Sequence, residues 1–318
     1  MNLKKFSITE IIYNYLLRSY KSRGKKWWDY LWNNFVSSKN QKVTTLIHGH
    51  SMLVNSGYSY PLFSRMFKEY NNPLLELAYH VFKQKKDKIS IIDVGAAVGD
   101  TFFLINANIK NAIGQSICID GDPDFYEYLK FNLKCFSEVN CVNALLSDKD
   151  DEYIRELIRI HPGTASAQGV TKKTSISLDT LFELNPLNQV DIIKIDVDGY
   201  DGVVLNGARN ILRKFKPYII FEWHPILYNN TGNNVILPYE VLYGEGYDKF
   251  IFFTKYGVFS HFMSGVNHDQ LYMHEKLSLR NVFDYDWHYD VIALHKSQDL
   301  DASVLAECAF SRRKISPY

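Results

Sequence analysis

The stretch IIDVGAAVGDTFFLI, residues 91–105, decides the fold. An apolar run closes on Asp93. Gly95 and Gly99 then bracket three small residues before a second apolar run begins. A buried strand that becomes a helix through so little side-chain bulk lets the backbone approach a ligand closely. A dinucleotide fingerprint would need G-x-G-x-x-G, and Ala97 stands where its second glycine would be. A nucleoside triphosphate loop would need Gly-Lys-Ser/Thr, which does not occur here. What the loop has instead is an acid on either side, Asp93 before it and Asp100 after it. Carboxylates at a helix N-terminus repel phosphate and compete with it for the backbone N–H groups. The ligand implied lacks phosphate and carries a cation.

Outward from the loop, strand and helix patterns alternate. SIIDVG, SICIDGD, VNCVNALLSD, VDIIKIDVDG and PYIIFEWHP read as strands. NNPLLELAYHVFKQ, DTFFLINANI, PDFYEYLKFNLKCF and YDGVVLNGARNILRKF read as helices, with Asn72 as a cap and Pro73 in the first turn of the earliest. KFIFFTKYGVF and YDVIALHK are expected to close the sheet as a strand pair. Such alternation predicts an α/β, Rossmann-like, mostly parallel doubly wound sheet, with strands buried on both faces. Ligands of these sheets bind beyond the strand carboxyl ends at the switch point. Asp120 ends the second strand, where an acid can accept both hydroxyls of an adenosine ribose. Asp148 follows the third strand, where an adenine amino group is met. S-adenosylmethionine, with its amino and sulfonium groups, is the expected cofactor, held by Asp93, Gly95, Ala96, Gly99, Asp120 and Asp148.

The reacting side is expected at the fourth and fifth strands. In KIDVDGYDG, Asp196 and Asp198 stand two apart and would share a face if extended. Asp201 would open the next helix, and Lys194 would pair with one of these acids. FEWHP places Glu222 and His224 on one face. Transfer to a hydroxyl needs a base within hydrogen-bond reach, and Asp196, His224 and Asp198 are the candidates.

The chain has 318 residues, 46% of them apolar, enough for a large core. A formal charge of +1 argues against nucleic acid as a partner. Cys118, Cys135, Cys141 and Cys308 form no C-x-x-C pair, so no metal framework is expected, and a reducing, cytoplasmic location fits. Residues 1–74 read as an extension to the main domain, 75–318. The extension carries two short helices split near Gly24 and a small hairpin in TTLIHGHSMLVNSGYSY, whose His48 and His50 would share a strand face. Within residues 1–35, Lys4, Lys5, Arg18, Lys21, Arg23, Lys25 and Lys26 face few acids and adjoin Trp27, Trp28, Tyr30 and Trp32, a pattern suited to a membrane surface or a protein partner. The polar stretch 149–176, including HPGTASAQG, reads as a loop after a short helix, and TSISLDTLFEL as a strand and turn.

IIDVGAAVGDT, ICIDGDPDFYEYLKFNL, SLDTL, DIIKIDVDGYDGVVLNGARNIL and IIFEWHP together resemble the FkbM family of S-adenosylmethionine-dependent methyltransferases over about residues 75–225. The resemblance implies a class I methyltransferase fold and O-methylation, often of a sugar hydroxyl. It places Asp93, Gly95, Gly99 and Asp120 at the cofactor, and Asp196, Asp198 and Gly199 where cofactor and acceptor meet. The sequence departs from the family at three points. Ala97 stands where the family has Asn, Asp198 where it has Glu, and Gly121 where it has Pro. A D-x-D glycosyltransferase reading of DVD would leave the glycine loop and Asp120 without a role. A non-catalytic protein on the same scaffold is the other alternative. The aromatic segments 228–300, with Tyr228, Phe252, Phe253, Tyr256, Trp287 and Tyr289, are expected to supply the acceptor's stacking surface.

Overall fold

The fold is that of a computed structural model, which describes residues 7–19, 25–151, 153–155, 158–161, 164–166, 172–280 and 287–307. Lys4, Lys5, Lys21, Arg23, Gly24, Cys308 and much of HPGTASAQG lie outside the described residues.

Helices α1 (Ile8–Ser19) and α2 (Lys25–Leu31) open the chain, and the hairpin β1 (Lys42–Ile47) and β2 (His50–Asn55) follows. The hairpin turns through His48 and Gly49, at φ +50° and +77°. Two successive positive φ angles match the twist of a tight hairpin. His48 therefore lies in the turn and not on a strand face. Its Nε2 meets the Tyr60 hydroxyl at 2.6 Å, while the His50 ring packs on Phe103. Helix α3 (Tyr60–Met66) leads to α4 (Asn72–Lys85), where Asn71, at φ +61°, precedes the first turn in place of the expected Asn72 cap.

The main unit runs β3 (Ile89–Val94), α5 (Asp100–Asn108), β4 (Ile113–Asp120), α6 (Pro123–Leu133) and β5 (Val139–Asn143). The 149–176 region contains short strands where a helix and loop were expected. After β6 (Leu146–Ser147) they are β7 (Tyr153–Arg155), β8 (Ile158–His161), β9 (Thr164–Ser166), β10 (Lys172–Thr174) and the start of β11 (Ile176–Ser177). The turn expected in SLDTLFEL is helix α7 (Leu178–Leu184), capped by the Ser177 hydroxyl. Then come β12 (Ile192–Ile195), α8 (Asp201–Asn206), α9 (Arg209–Phe215), β13 (Tyr218–Trp223), α10 (Pro225–Thr231), α11 (Leu237–Gly244), β14 (Tyr247–Thr254), β15 (Phe259–Ser264), α12 (His268–Arg280), β16 (Tyr289–His295) and α13 (Ala302–Glu307). The single helix expected over 200–215 breaks at Gly207, where an added Cβ would lie 2.3 Å from the Ser147 carbonyl oxygen and the Gly207 carbonyl accepts from the Asp179 N–H.

The eight-stranded sheet has the order β15-β14-β16-β13-β12-β3-β4-β5. Strands β5, β4, β3, β12 and β13 are parallel, and β16 runs antiparallel between β13 and β14. The chain leaves β3 first toward β5 and then returns to β12 on the other side, so the switch point lies at β3. This is the class I Rossmann-like architecture. Alternation divides the strands cleanly. Ile91, Ile192 and Ile220 join one core with α4, α5 and the N-terminal helices, while Ile92, Ile193 and Phe221 join another with α7, α8 and α9. Among the described residues no helix is long and apolar enough to cross a membrane.

Candidate active site

The glycine loop follows β3 at the switch point. Gly95, Ala97 and Gly99 have φ of +76°, +45° and +91°. A Cβ on Gly95 would come within 1.9 Å of the Asp196 carbonyl oxygen, so only glycine fits there. The Asp120 carboxylate holds the loop from the next strand, accepting the Ala97 N–H at 2.8 Å and the Asp122 N–H at 2.9 Å. Each carboxylate oxygen keeps acceptor capacity beyond one such bond. Burial pushes the Asp120 carboxyl up to about 7 against the pull of those two N–H groups. Asp100 opens α5 and accepts from the buried Tyr58 hydroxyl at 2.7 Å, and burial raises it to about 6.

Lys194 of β12 joins the loop to the neighbouring strands. Its Nζ lies 3.3 Å from Asp93, 3.3 Å from Asp196 and 3.4 Å from the Gly95 carbonyl oxygen. Burial alone would depress this ammonium, but the Asp93, Asp196 and Asp100 charges outweigh it and raise its proton affinity. Asp93 is raised by burial, with Lys194 opposing.

Beyond Lys194 a small open cleft is lined by Asp196, Glu222 and Asp290 and by Asn71, Pro73 and Leu74. Glu222 and Asp290 are direct cross-strand partners on β13 and β16. Burial raises both, Asp290 to about 7 and Glu222 well above the usual range, with the Asp196 charge adding to each. Glu222 meets His288 Nε2 at 3.2 Å, and the His288 ring stacks on His224 with centroids 4.5 Å apart. His224 is buried and precedes α10. A half-buried Tyr70 feels the Asp290 and Asp196 charges. Its ring lies among Tyr60 and Phe63, and Phe67 packs on Tyr256 with centroids 4.0 Å apart.

Several expectations are corrected. Asp196 and Asp198 do not share a strand face, because β12 ends at Ile195 and Asp198 and Gly199, at φ +51° and +91°, form a turn. The Gly199 carbonyl of that turn accepts from the Asn233 side chain at 2.9 Å. Asp198 is partly buried within it. Asp201 does open α8 but is fully buried, accepting the Gly199 N–H at 3.3 Å. Asp148 does not close the third strand. Strand β5 ends at Asn143, and Asp148 follows β6, where its Oδ2 accepts from the Asn206 side chain at 2.9 Å. The chain leaves the sheet there because Leu146 and Ser147 pair with β11. Of the aromatic residues expected to stack on an acceptor, Tyr228, Phe252, Phe253 and Tyr289 are buried in the cores. Sequence reasoning missed His288, Asp290, Tyr58 and Asn132. The Asn132 side chain bonds both Leu53 backbone groups and the Val98 carbonyl, tying the hairpin to the glycine loop.

Residues 93–253, half of the chain, match the family model of the methyltransferase FkbM domain. The chain belongs to the FkbM methyltransferase family. Among solved structures, a methyltransferase FkbM from Methylobacillus flagellatus KT is similar at 14% identity and a TM-score of 0.41, over 65% of this chain and 44% of that one. This chain thus spans less than half of that protein's length. An O-methyltransferase from Bacillus cereus, in complex with SAH, is similar at 14% identity and a TM-score of 0.39, over 71% of this chain and 81% of that one. At such values these likenesses add nothing to the domain match. No curated protein matches the chain.

FkbM methyltransferases depend on S-adenosylmethionine, and the residues present fit it. Asp93, Asp100 and Asp120, all buried, border a glycine loop, and the nearby Lys194 charge is already divided between Asp93 and Asp196. The surplus is negative, which suits an ammonium and a sulfonium and repels phosphate. Among the described residues no group of three His, Cys, Asp or Glu side chains is placed to hold a metal ion.

Proposed function

We propose that this FkbM methyltransferase transfers a methyl group to a hydroxyl of a sugar or glycan precursor in the cytoplasm. The observation that carries the reading is the cleft beside the glycine loop, floored by Asp196, Glu222 and Asp290. Tyr70, which feels two of those charges, and the rings around it give the cleft an aromatic neighbour. Carboxylates accept from several hydroxyls at once, and aromatic rings stack on the apolar faces of sugars. A formal charge of +1 speaks against nucleic acid as the acceptor, and the free Cys118, Cys135 and Cys141 suit a reducing compartment.

S-adenosylmethionine supplies a methyl group bonded to a positively charged sulfur, open to in-line displacement. The chain's part is to bind, orient and take up a proton. Asp93, Gly95, Ala96, Gly99 and Asp120 hold the cofactor in this scheme. Asp148, engaged with Asn206, would reach the adenine only from the side of β6. Alignment of the acceptor oxygen is worth up to roughly 7–11 kcal/mol in ideal cases. Asp196 is the base we favour, because its carboxylate is half exposed, borders the cleft and is kept oriented by Lys194 at 3.3 Å. His224 and Asp198 are the other candidates, and Glu222 orients the His288 ring that stacks on His224.

The test is transfer of isotopically labelled methyl from S-adenosylmethionine to a panel of mono- and oligosaccharides, with calorimetric titration of the cofactor in parallel. Label on a sugar oxygen is expected, with turnover in Asp196→Asn reduced about 100-fold or more and cofactor affinity retained. Cofactor binding with label moving only to nitrogen or carbon acceptors would sink the sugar hydroxyl reading.

A further inference from the structure

Helix α1 is apolar on two sides. Tyr13, Leu16 and Leu17 point into the core. Ile8, Ile11 and Tyr15 form a second stripe that points outward, exposed by 76%, 58% and 62%, and Arg18 continues it. The spacing of three and four places them along one helix face. Helix α2 is fixed to α1, because Trp28 Nε1 donates to the Leu16 carbonyl at 2.8 Å and Trp32 stacks on Tyr13. It adds Trp27, exposed by 72%, in edge contact with Tyr30, which in turn meets the exposed Phe35. These large apolar side chains are spent on neither core nor cleft.

The sequence around them is basic. Residues 1–35 contain seven Lys and Arg against Glu10 and Asp29, in a chain whose formal charge is only +1. Glu10 is buried and does not offset the surface charge. A symmetric contact with a second copy would bring two such basic segments together, which repel. An anionic lipid surface satisfies both features. Trp and Tyr favour the headgroup level, Ile and Phe gain from leaving water, and Lys and Arg meet the lipid phosphates.

We propose that α1 and α2 dock this protein on an anionic membrane surface, with Ile8, Ile11, Tyr15, Trp27, Tyr30 and Phe35 entering the headgroup layer. The contact is peripheral, and it is independent of what the cleft accepts.

The test uses the full chain, sedimented with vesicles of phosphatidylcholine alone or of phosphatidylcholine mixed with phosphatidylglycerol. Binding is expected only to the anionic vesicles, weakening as salt is raised. Ile11→Glu with Tyr15→Glu should lower the partition coefficient about tenfold or more, and Trp27→Ala should lower it independently, with cofactor affinity unchanged in both. No binding to anionic vesicles, or equal binding by wild type and both variants, would overturn the proposal. So would self-association of the wild type, measured by sedimentation velocity without lipid, that these substitutions abolish.

Discussion

The half of the site proposed for the cofactor and the half proposed for the acceptor lie side by side on one sheet, yet they are built differently. The cofactor half comes from a continuous run, Asp93 to Asp122, in which each element positions the next. A strand end supplies Asp93, positive φ angles shape the loop, and Asp120 accepts that loop's Ala97 N–H from the following strand. The acceptor half is assembled from pieces. Asn71, Pro73 and Leu74 precede the sheet, Asp196 and Glu222 come from its middle, and Asp290 arrives on the antiparallel strand near the end. A local run fixes its own geometry, whereas a dispersed site depends on the whole fold being right. The first kind suits an invariant ligand, and the second changes its lining without disturbing the first.

The sharpest way to break this division is Gly95→Ala. The new methyl would press on the Asp196 carbonyl at the seam between the halves, in a backbone conformation that disfavours Cβ. A loss of about 3 kcal/mol or more is expected in chemical denaturation. An unchanged midpoint would show that the halves do not touch as described.

Next in size is a pH effect on the cofactor half. Burial holds Asp100 at about 6 and Asp120 at about 7, above the ordinary carboxyl value. A raised carboxyl favours the protonated folded state, so its stabilising contribution is full below about pH 4 and is lost as pH rises through 6 to 7. A cationic ligand needs the ionised form, so its binding runs the other way. Calorimetry should find S-adenosylmethionine affinity rising about tenfold between pH 6 and pH 8, and Asp120→Asn should flatten that rise. A flat wild-type profile would remove Asp120 from cofactor binding.

Tyr58→Phe probes how far the N-terminal extension supports the loop. It removes the donor to Asp100 and leaves a buried carboxyl short of a partner, at a cost of about 1–2 kcal/mol in denaturation midpoint analysis. No effect would mean that the cofactor half stands without the extension. The smallest change expected is a gain. Ala97 adopts a left-handed conformation that Asn tolerates better, so Ala97→Asn should stabilise by about 0.5–1 kcal/mol, read from the same midpoint.

That position also illustrates what was legible in the sequence. The family's Asn and this chain's Ala97 differ by a polar contact when read as letters, but the backbone gives the difference another meaning, one of conformational preference. Asp93, Gly95, Gly99 and Asp120 were readable because strand ends and glycine turns are local signals. The mostly parallel, doubly wound sheet followed from alternation for the same reason. Asp290, His288 and Asn132 were not readable, since nothing near them in sequence says which strand or loop they will face. The aromatic expectation for 228–300 failed on burial: Phe252 and Tyr289 satisfy a strand pattern equally well as core or as wall. The turn at Asp198 was signalled by the Asp-Gly pair, and the extended reading of DVD passed over it. The carbonyl of Gly199 in that bend accepts from Asn233, which follows α10, four elements later.

The packing of Phe67 on Tyr256, and the close approach of Gly257 to the Glu69 backbone, carry a consequence in time. Those partners are separated by most of the chain, and a contact of such sequence span is closed late and at high entropic cost. During synthesis Phe67 emerges early, and its partner Tyr256 follows only when β14 has left the ribosome. The glycine loop meets β4 and α6 earlier in synthesis, and Lys194 and the Asp196 carbonyl reach it with β12. The contact of Phe67 and Glu69 with Tyr256 and Gly257 is therefore among the last to close, and until it closes these rings are exposed to chaperones and to aggregation.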